Sequence, residues 1–236
     1  MKIHFTRIFF AFLVFYYPPT YSQDHQDNQE PLELFDQIVG IENTGLANGE
    51  EYIEPHIIRD DQHKYFLSSS FLKGQVTYDE QLYYPVLLKY NIFDDVLLVF
   101  LNTSDGNSTI KLHKNKITSF RVDAHTFINV NEDDAVNGFY EVLLDTNGSL
   151  LLKKHFKKVH KELDDNFTYY RFEEDDPAFV VSRNGNYFPV SSKRDFLKVF
   201  PEQGKKIKDF YSRNKSLRKN SPDQFMIRLL QTIKQL

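Results

Sequence analysis

The residues best suited to chemistry in this chain are its carboxylates, which come as Asp94-Asp95, Asp133-Asp134, Asp164-Asp165 and the run Glu173-Glu174-Asp175-Asp176. Glycoside hydrolysis needs two carboxylates about 5 to 10 Å apart across a cleft, one of them with a raised pKa. Here each acidic pair falls at a position that reads as a turn or loop, where carboxylates are solvated and need no other role. A carboxylate-dependent hydrolase is therefore the least favoured reading, and no catalytic residue is assigned. Histidines give no metal site either. His155 and His160 in KKHFKKVHK are five residues apart, whereas ligands on a strand want a spacing of two and on a helix three or four. The flanking lysines would repel a cation. His113 and His125 fall on different strands and can meet only if the fold brings them together. DTNGS and NTSDGNST lack the alternating ligands and terminal Glu of a calcium loop. There is no serine elbow, no phosphate-cradling glycine loop and no basic-aromatic strand signature, so neither a cofactor nor a nucleic-acid partner is implied.

Apolar patterning is more informative. In GQVTYDEQLYYPVLLKYNIFDDVLLVFL (74–101) the side-chain period is two, with Leu82, Tyr84, Val86, Leu88 and Tyr90 on one face and Tyr83, Pro85, Leu87, Lys89 and Asn91 on the other. The stretch predicts three strands of a meander. Its first face is either a core, covered by C-terminal helices, or the lining of a cavity in which Tyr84, Leu88 and Tyr90 would touch an apolar ligand. Pro85 has no N–H to give, so its strand is an edge there or carries a bulge.

The elements that would position this strip read as follows. Short strand-like pieces lie at 52–71, a loop at Asn102–Thr109, and further strands at Ile110–Val122 and Thr126–Val130. Asn147-Gly148 and Asn184-Gly185 each stand between apolar runs, and residues that tolerate positive φ at that position predict tight hairpins. From Ser192 the period becomes helical. Phe196, Leu197 and Phe200 precede Pro201; Ile207, Phe210 and Tyr211 follow. Ser221 and Pro222 open a last helix whose stripe is Phe225, Met226, Leu229, Leu230, Ile233 and Leu236. The expected fold is mainly β (α+β): an antiparallel meander forming a curved sheet or half-barrel, with two to three short C-terminal α-helices.

Met1 to Ser22 has the form of a secretory signal peptide: Lys2, His4 and Arg7, then an apolar run from Ile8 to Tyr17, then Thr20-Tyr21-Ser22. About ten apolar residues are too few to span a bilayer, which needs roughly 20. Cleavage near Ser22 is expected, then an acidic flexible lead-in (23–48) and one β-rich domain (49–236) whose helical part is 192–236. No second apolar run of membrane length follows, so no transmembrane segment is expected in the mature chain. Cysteine is absent from the 236 residues, so burial rather than disulfides must stabilise the fold. Asn102, Asn107, Asn147, Asn166 and Asn214 stand in sequons.

Charge is segregated. Residues 23–61 hold eleven acids against Arg59, net −10, whereas 193–219 hold ten bases against Asp195, Glu202 and Asp209, net +7. The basic helices, with Lys205, Lys206, Lys208 and Arg213, are candidate contacts for an anionic envelope component or a protein partner.

Taken together, ANGEEYIEPH, HKYFLSSSFLKGQVTYDEQLYYPVLLKY with DDVLLVFL, ITSFRV, GFYEVLLDTNGSLLLKK and SSKRDFLKVFPEQGKKIKDFYSRN resemble a family of uncharacterised exported proteins of the Bacteroidota. The resemblance spans about Leu46 to Asn214. It implies a periplasmic or secreted location, with no activity and no site residues to carry over. The favoured reading is a non-catalytic cell-envelope protein that binds or scaffolds; the alternative is a periplasmic carrier of an apolar ligand or lipid.

Overall fold

The computed structural model describes residues 44–58, 61–103, 106–146, 148–164 and 166–234. The signal-peptide segment, the lead-in up to residue 43, Asn147, Asp165 and Leu236 lie outside the described residues. The lead-in ends earlier than expected. Gly45–Asn48 is a 3-10 turn whose Leu46 is fully buried among the strands, so one apolar anchor outweighs the acidic surroundings.

Among the described residues, alternating β-branched and aromatic residues build fourteen strands: β1 (Glu50–Glu51), β2 (Ile57–Ile58), β3 (Leu72–Tyr78), β4 (Gln81–Asn91), β5 (Val96–Thr103), β6 (Gly106–Lys111), β7 (Ile117–Val122), β8 (His125–Asn131), β9 (Asn137–Thr146), β10 (Ser149–Lys154), β11 (Lys157–Asp164), β12 (Phe167–Glu174), β13 (Ala178–Arg183) and β14 (Asn186–Pro189). Eleven form one open antiparallel sheet in the order β1-β6-β5-β4-β3-β7-β8-β9-β10-β13-β14. β11, β12 and β2 form a second, in which β2 runs parallel to β12. Two boundaries differ from expectation. The 110–122 segment is two strands split by a 3-10 turn at Lys114–Lys116, and the 102–109 loop is mostly a hairpin, with Asn102 opposite Asn107 and Thr103 opposite Gly106. Backbone pairing continues through polar side chains because the ladder bonds do not depend on them.

Both predicted tight hairpins are present. Ser149 lies opposite Thr146, with Gly148 at φ 82°, and Arg183 lies opposite Asn186, with Asn184 and Gly185 at φ 53° and 82°. Four helices follow: α1 (Lys193–Val199), α2 (Gly204–Arg213), α3 (Lys215–Asn220) and α4 (Pro222–Lys234). A capping box between Ser192 and Asp195 starts α1. The short α3 was not anticipated, since only Leu217 gives it an apolar contact with the helical core.

The sheet curls strongly. Tyr90 on β4 is in ring contact with Phe120 on β7, Phe127 on β8 and Phe139 on β9, at centroid distances of 5.3, 5.1 and 5.7 Å. In a flat sheet β4 and β9 would lie about 19 Å apart at the usual strand spacing; the rings meet because the concave face has closed on itself. Leu88, Tyr90, Phe120, Phe127 and Phe139 fill that face together with Leu46 and Phe66. The C-terminal helices, expected as its cover, form a different core. Phe196, Ile207, Tyr211, Phe225, Leu229, Leu230 and Ile233 pack on Leu151 of β10 and Val181 of β13.

The face assignment along β4 also needs correction. Tyr83, Val86, Leu88 and Tyr90 are buried, whereas Leu82 and Tyr84 are half-buried and Pro85 is exposed. On β3, Gly74 is opposite Val86 and Val76 opposite Tyr83, so Gln75 faces both Tyr84 and Pro85. A bulge of this kind turns the side chains before it to the other face. Pairing with β5 begins only at Leu87, so Pro85 sits at a bulge and on a locally free edge.

Candidate functional site

The sequence-predicted ligand contacts do not form one site. Leu88 and Tyr90 are 0% and 1% exposed inside the filled concave core. Tyr84 points the other way, into a shallow cleft with Lys73, Pro85, Arg121 and Asp123. Lys205, Lys208 and Arg213 are exposed on α2 and Lys206 is half-buried, because Ile207 and Tyr211 are the positions of that helix that face the core.

Space for a ligand lies elsewhere, under the helices. A cleft of about 520 Å³ is walled by Phe179 of β13, Val190, Tyr211, Phe225 and Met226, with Arg218 and Asp195 as its charged members. α2 and α4 form one wall because their apolar stripes turn inward, and the β13-β14 hairpin forms the other. The Arg218 guanidinium lies 5.7 Å from the centre of the Tyr211 ring. Burial pushes the Tyr211 phenol up to about 12, so it stays neutral at physiological pH. Asp195 is held below the usual carboxylate range by hydrogen bonds from the hydroxyls and backbone N–H groups of Ser192 and Ser191.

A second cleft, of about 660 Å³, adjoins the first at Pro177 and Pro222. It carries more ionisable side chains, with Lys153, His155, Glu174, Asp175 and Asp223 on its walls. Behind it lies a cluster that sequence reading missed. Glu141 of β9 accepts hydrogen bonds from His125 Nδ1 at 2.5 Å and from His155 Nε2 at 2.6 Å. Phe66 packs edge-on against both imidazoles, its ring centre 5.0 Å from each. Burial pushes the Glu141 carboxyl up, but the hydrogen bonds and charges of His155 and His125 outweigh it and hold the group below its ordinary value. The signal was available: a Glu inside the apolar run FYEVLL must be buried and needs partners. Which histidines would supply them depended on the fold.

This cluster resembles an oriented base, since a carboxylate fixes the imidazole tautomer. His155 makes no hydrogen bond to Ser221, the serine that lines the same cleft, and its Nε2 is engaged by Glu141. The arrangement ties β8 and β9 to the residue that follows β10.

Several other carboxylates are also engaged structurally, contrary to their reading as merely solvated. Lys64, with no exposed surface, has its Nζ 2.9 Å from Glu54 Oε1 and 3.2 Å from Asp94 Oδ2, with His56 Nδ1 at 3.1 Å. Burial pushes the ammonium down, and hydrogen bonds with Tyr52 and Glu54 overcome that and hold it raised. Tyr65 also donates to Glu54, and its own phenol is raised by burial and by that carboxylate. The network fastens Glu54, His56 and Lys64 to the β4-β5 turn. Asp133 caps its own turn through the N–H groups of Ala135 and Val136. Among the described residues, no group of three or more His, Asp or Glu is arranged to hold a metal ion, and no helix is long and apolar enough to cross a membrane.

Comparisons of the chain with protein-family models, with curated proteins and with solved structures gave no match.

Proposed function

We propose that the protein is a non-catalytic binding protein of the cell envelope, and that the apolar cleft under its helical layer is the recognition site. One observation carries this reading: the concave face of the sheet is filled by its own aromatic side chains, whereas Phe179, Val190, Phe225 and Met226 wall an open space of about 520 Å³. That volume falls in the range of about 300 to 1,000 Å³ usual for small-molecule sites, which pair apolar walls with a few polar groups. The carrier alternative thereby keeps its ligand but moves it from the half-barrel to the helix-sheet junction. A hydrolase gains no support, because the acidic groups Glu54, Asp94, Asp95 and Glu141 are each bound to cationic or imidazole partners. Export, a periplasmic or secreted location and kinship with the Bacteroidota family belong to the same proposal and rest on the leader and strand motifs. The outward Lys205, Lys208 and Arg213 supply a surface for an anionic envelope component.

The test is native mass spectrometry of the protein isolated from its own envelope, beside an Ala178→Trp variant. Ala178 is exposed on the cleft wall, so an indole there fills the space without displacing the core. A bound small molecule that is lost in the variant supports the proposal. An adduct that persists, or none in either protein, overturns the cleft as the site.

A further inference from the structure

Resting on that reading of the cleft, we infer that its ligand is a single-chain amphiphile with a carboxylate head, held with its tail among Phe179, Val190, Phe225 and Met226 and its head at Arg218. The cleft has one apolar character and one open cation. Arg218 makes no ion pair with another described residue; the face of Tyr211 is its neighbour. A guanidinium lying over an aromatic face rather than in an ion pair keeps its N–H groups for a ligand, and its donor fork matches a carboxylate in two parallel hydrogen bonds. Tyr211 adds a hydroxyl donor that makes no hydrogen bond to another described residue.

The acid in the cleft does not cancel this preference. The Oδ2 atom of Asp195 accepts from the backbone N–H and the hydroxyl of both Ser191 and Ser192, so that oxygen is held at the start of α1, and its single negative charge is outnumbered by the cations of α3. Around Arg218, α3 carries Lys215 and Lys219, both exposed, and the whole 193–219 segment is +7. An anionic head is drawn to such a field and a cationic one repelled. Neutral apolar ligands would leave the Arg218 edge without a new partner.

The discriminating experiment is calorimetric titration of the full chain with dodecanoate, dodecanol and dodecyltrimethylammonium, which share a tail and differ in head charge. Dodecanoate should bind tightest. Arg218→Gln should weaken dodecanoate about tenfold or more while leaving dodecanol unchanged, the scale of one charge-assisted contact. Arg218→Glu should reverse the order in favour of the ammonium probe. Equal binding of all three probes, abolished by Ala178→Trp, would overturn the head-group inference and leave the cleft standing. No binding of any probe would overturn both. A sedimentation arm with phosphatidylglycerol vesicles separates a free amphiphile from a membrane: capture on vesicles without a dodecanoate response would assign the basic face to a lipid surface and sink the inference.

Discussion

Lys154, at the end of β10, places its Nζ 3.1 Å from Oδ2 of Asp95 in the β4-β5 turn, and both side chains are mostly buried. The same Oδ2 takes Lys114 at 2.6 Å, while Oδ1 accepts the Tyr90 hydroxyl at 2.8 Å and the Phe139 N–H at 3.3 Å. One carboxylate thus ties β4, β9, β10 and the turn after β6 together where the sheet curls. Asp95→Ala should cost about 1 to 3 kcal/mol, because it leaves the buried Tyr90 hydroxyl without its acceptor and removes the ion pairs of the half-buried Lys114 and Lys154. Urea unfolding measures it, and a loss under about 1 kcal/mol would mean that the curl is held by apolar contacts alone.

Gly138 sits against that carboxylate. At φ 105° an added Cβ would lie 2.0 Å from Asp95 Oδ2 and 2.4 Å from Lys154 Nζ. Gly148, at φ 82°, has nothing within 4 Å. Gly148→Ala should therefore cost only the left-handed backbone penalty of about 1 to 2 kcal/mol, and Gly138→Ala clearly more. Equal losses in denaturant titration would count against the packing around Asp95.

The bulge at Gln75 predicts opposite fates for two β4 residues once read as neighbours on one face. Leu88→Ala should destabilise by about 2 to 5 kcal/mol as a filled-core deletion. Tyr84→Ala, on the outer face, should cost well under half of that. Comparable losses would restore the unbroken alternation and remove the bulge.

Glu141 makes stability depend on pH. Its folded-state pKa is below the ordinary 4.5, so its stabilising contribution is present above that value and is lost as pH falls through the lower folded value. Glu141→Gln should melt lower than the parent at pH 7, and the gap should narrow as the pH drops below 4.5. A gap that stays constant to acid pH would show that the charge of Glu141 does not matter.

Removal of Pro222–Lys234 deletes the buried Phe225, Met226, Leu229, Leu230 and Ile233. At about 1.5 to 3 kcal/mol for each buried side chain, the loss rivals the whole stability of about 5 to 15 kcal/mol expected for a domain. Circular dichroism of a chain ending at Ser221 should show little cooperative unfolding. An undiminished melting temperature would make α4 a detachable arm.

Local pattern alone determined the antiparallel meander, the glycine hairpins after Thr146 and Arg183 and the apolar stripe of the last helix. Each rests on side-chain period or on φ preference within a few residues, and such terms act before any tertiary contact forms. Pro85 even marked the bulge, because a missing N–H is a local fact. What the bulge does to Tyr84 needs the β3 partner strand, and so the face was misread by one residue. Curvature was beyond pattern reading too, since nothing in the spacing of Tyr90, Phe120, Phe127 and Phe139 says that their rings meet. The polar clusters follow the same logic. Asp95 meets Lys154 across 59 residues, and Glu141 meets His125 and His155 from neighbouring elements, so their types announced a need for partners while only the curled sheet chose them. The cleft at Arg218 is the clearest case: its walls come from β13, α2 and α4, and only their packing leaves a cation beside an apolar space.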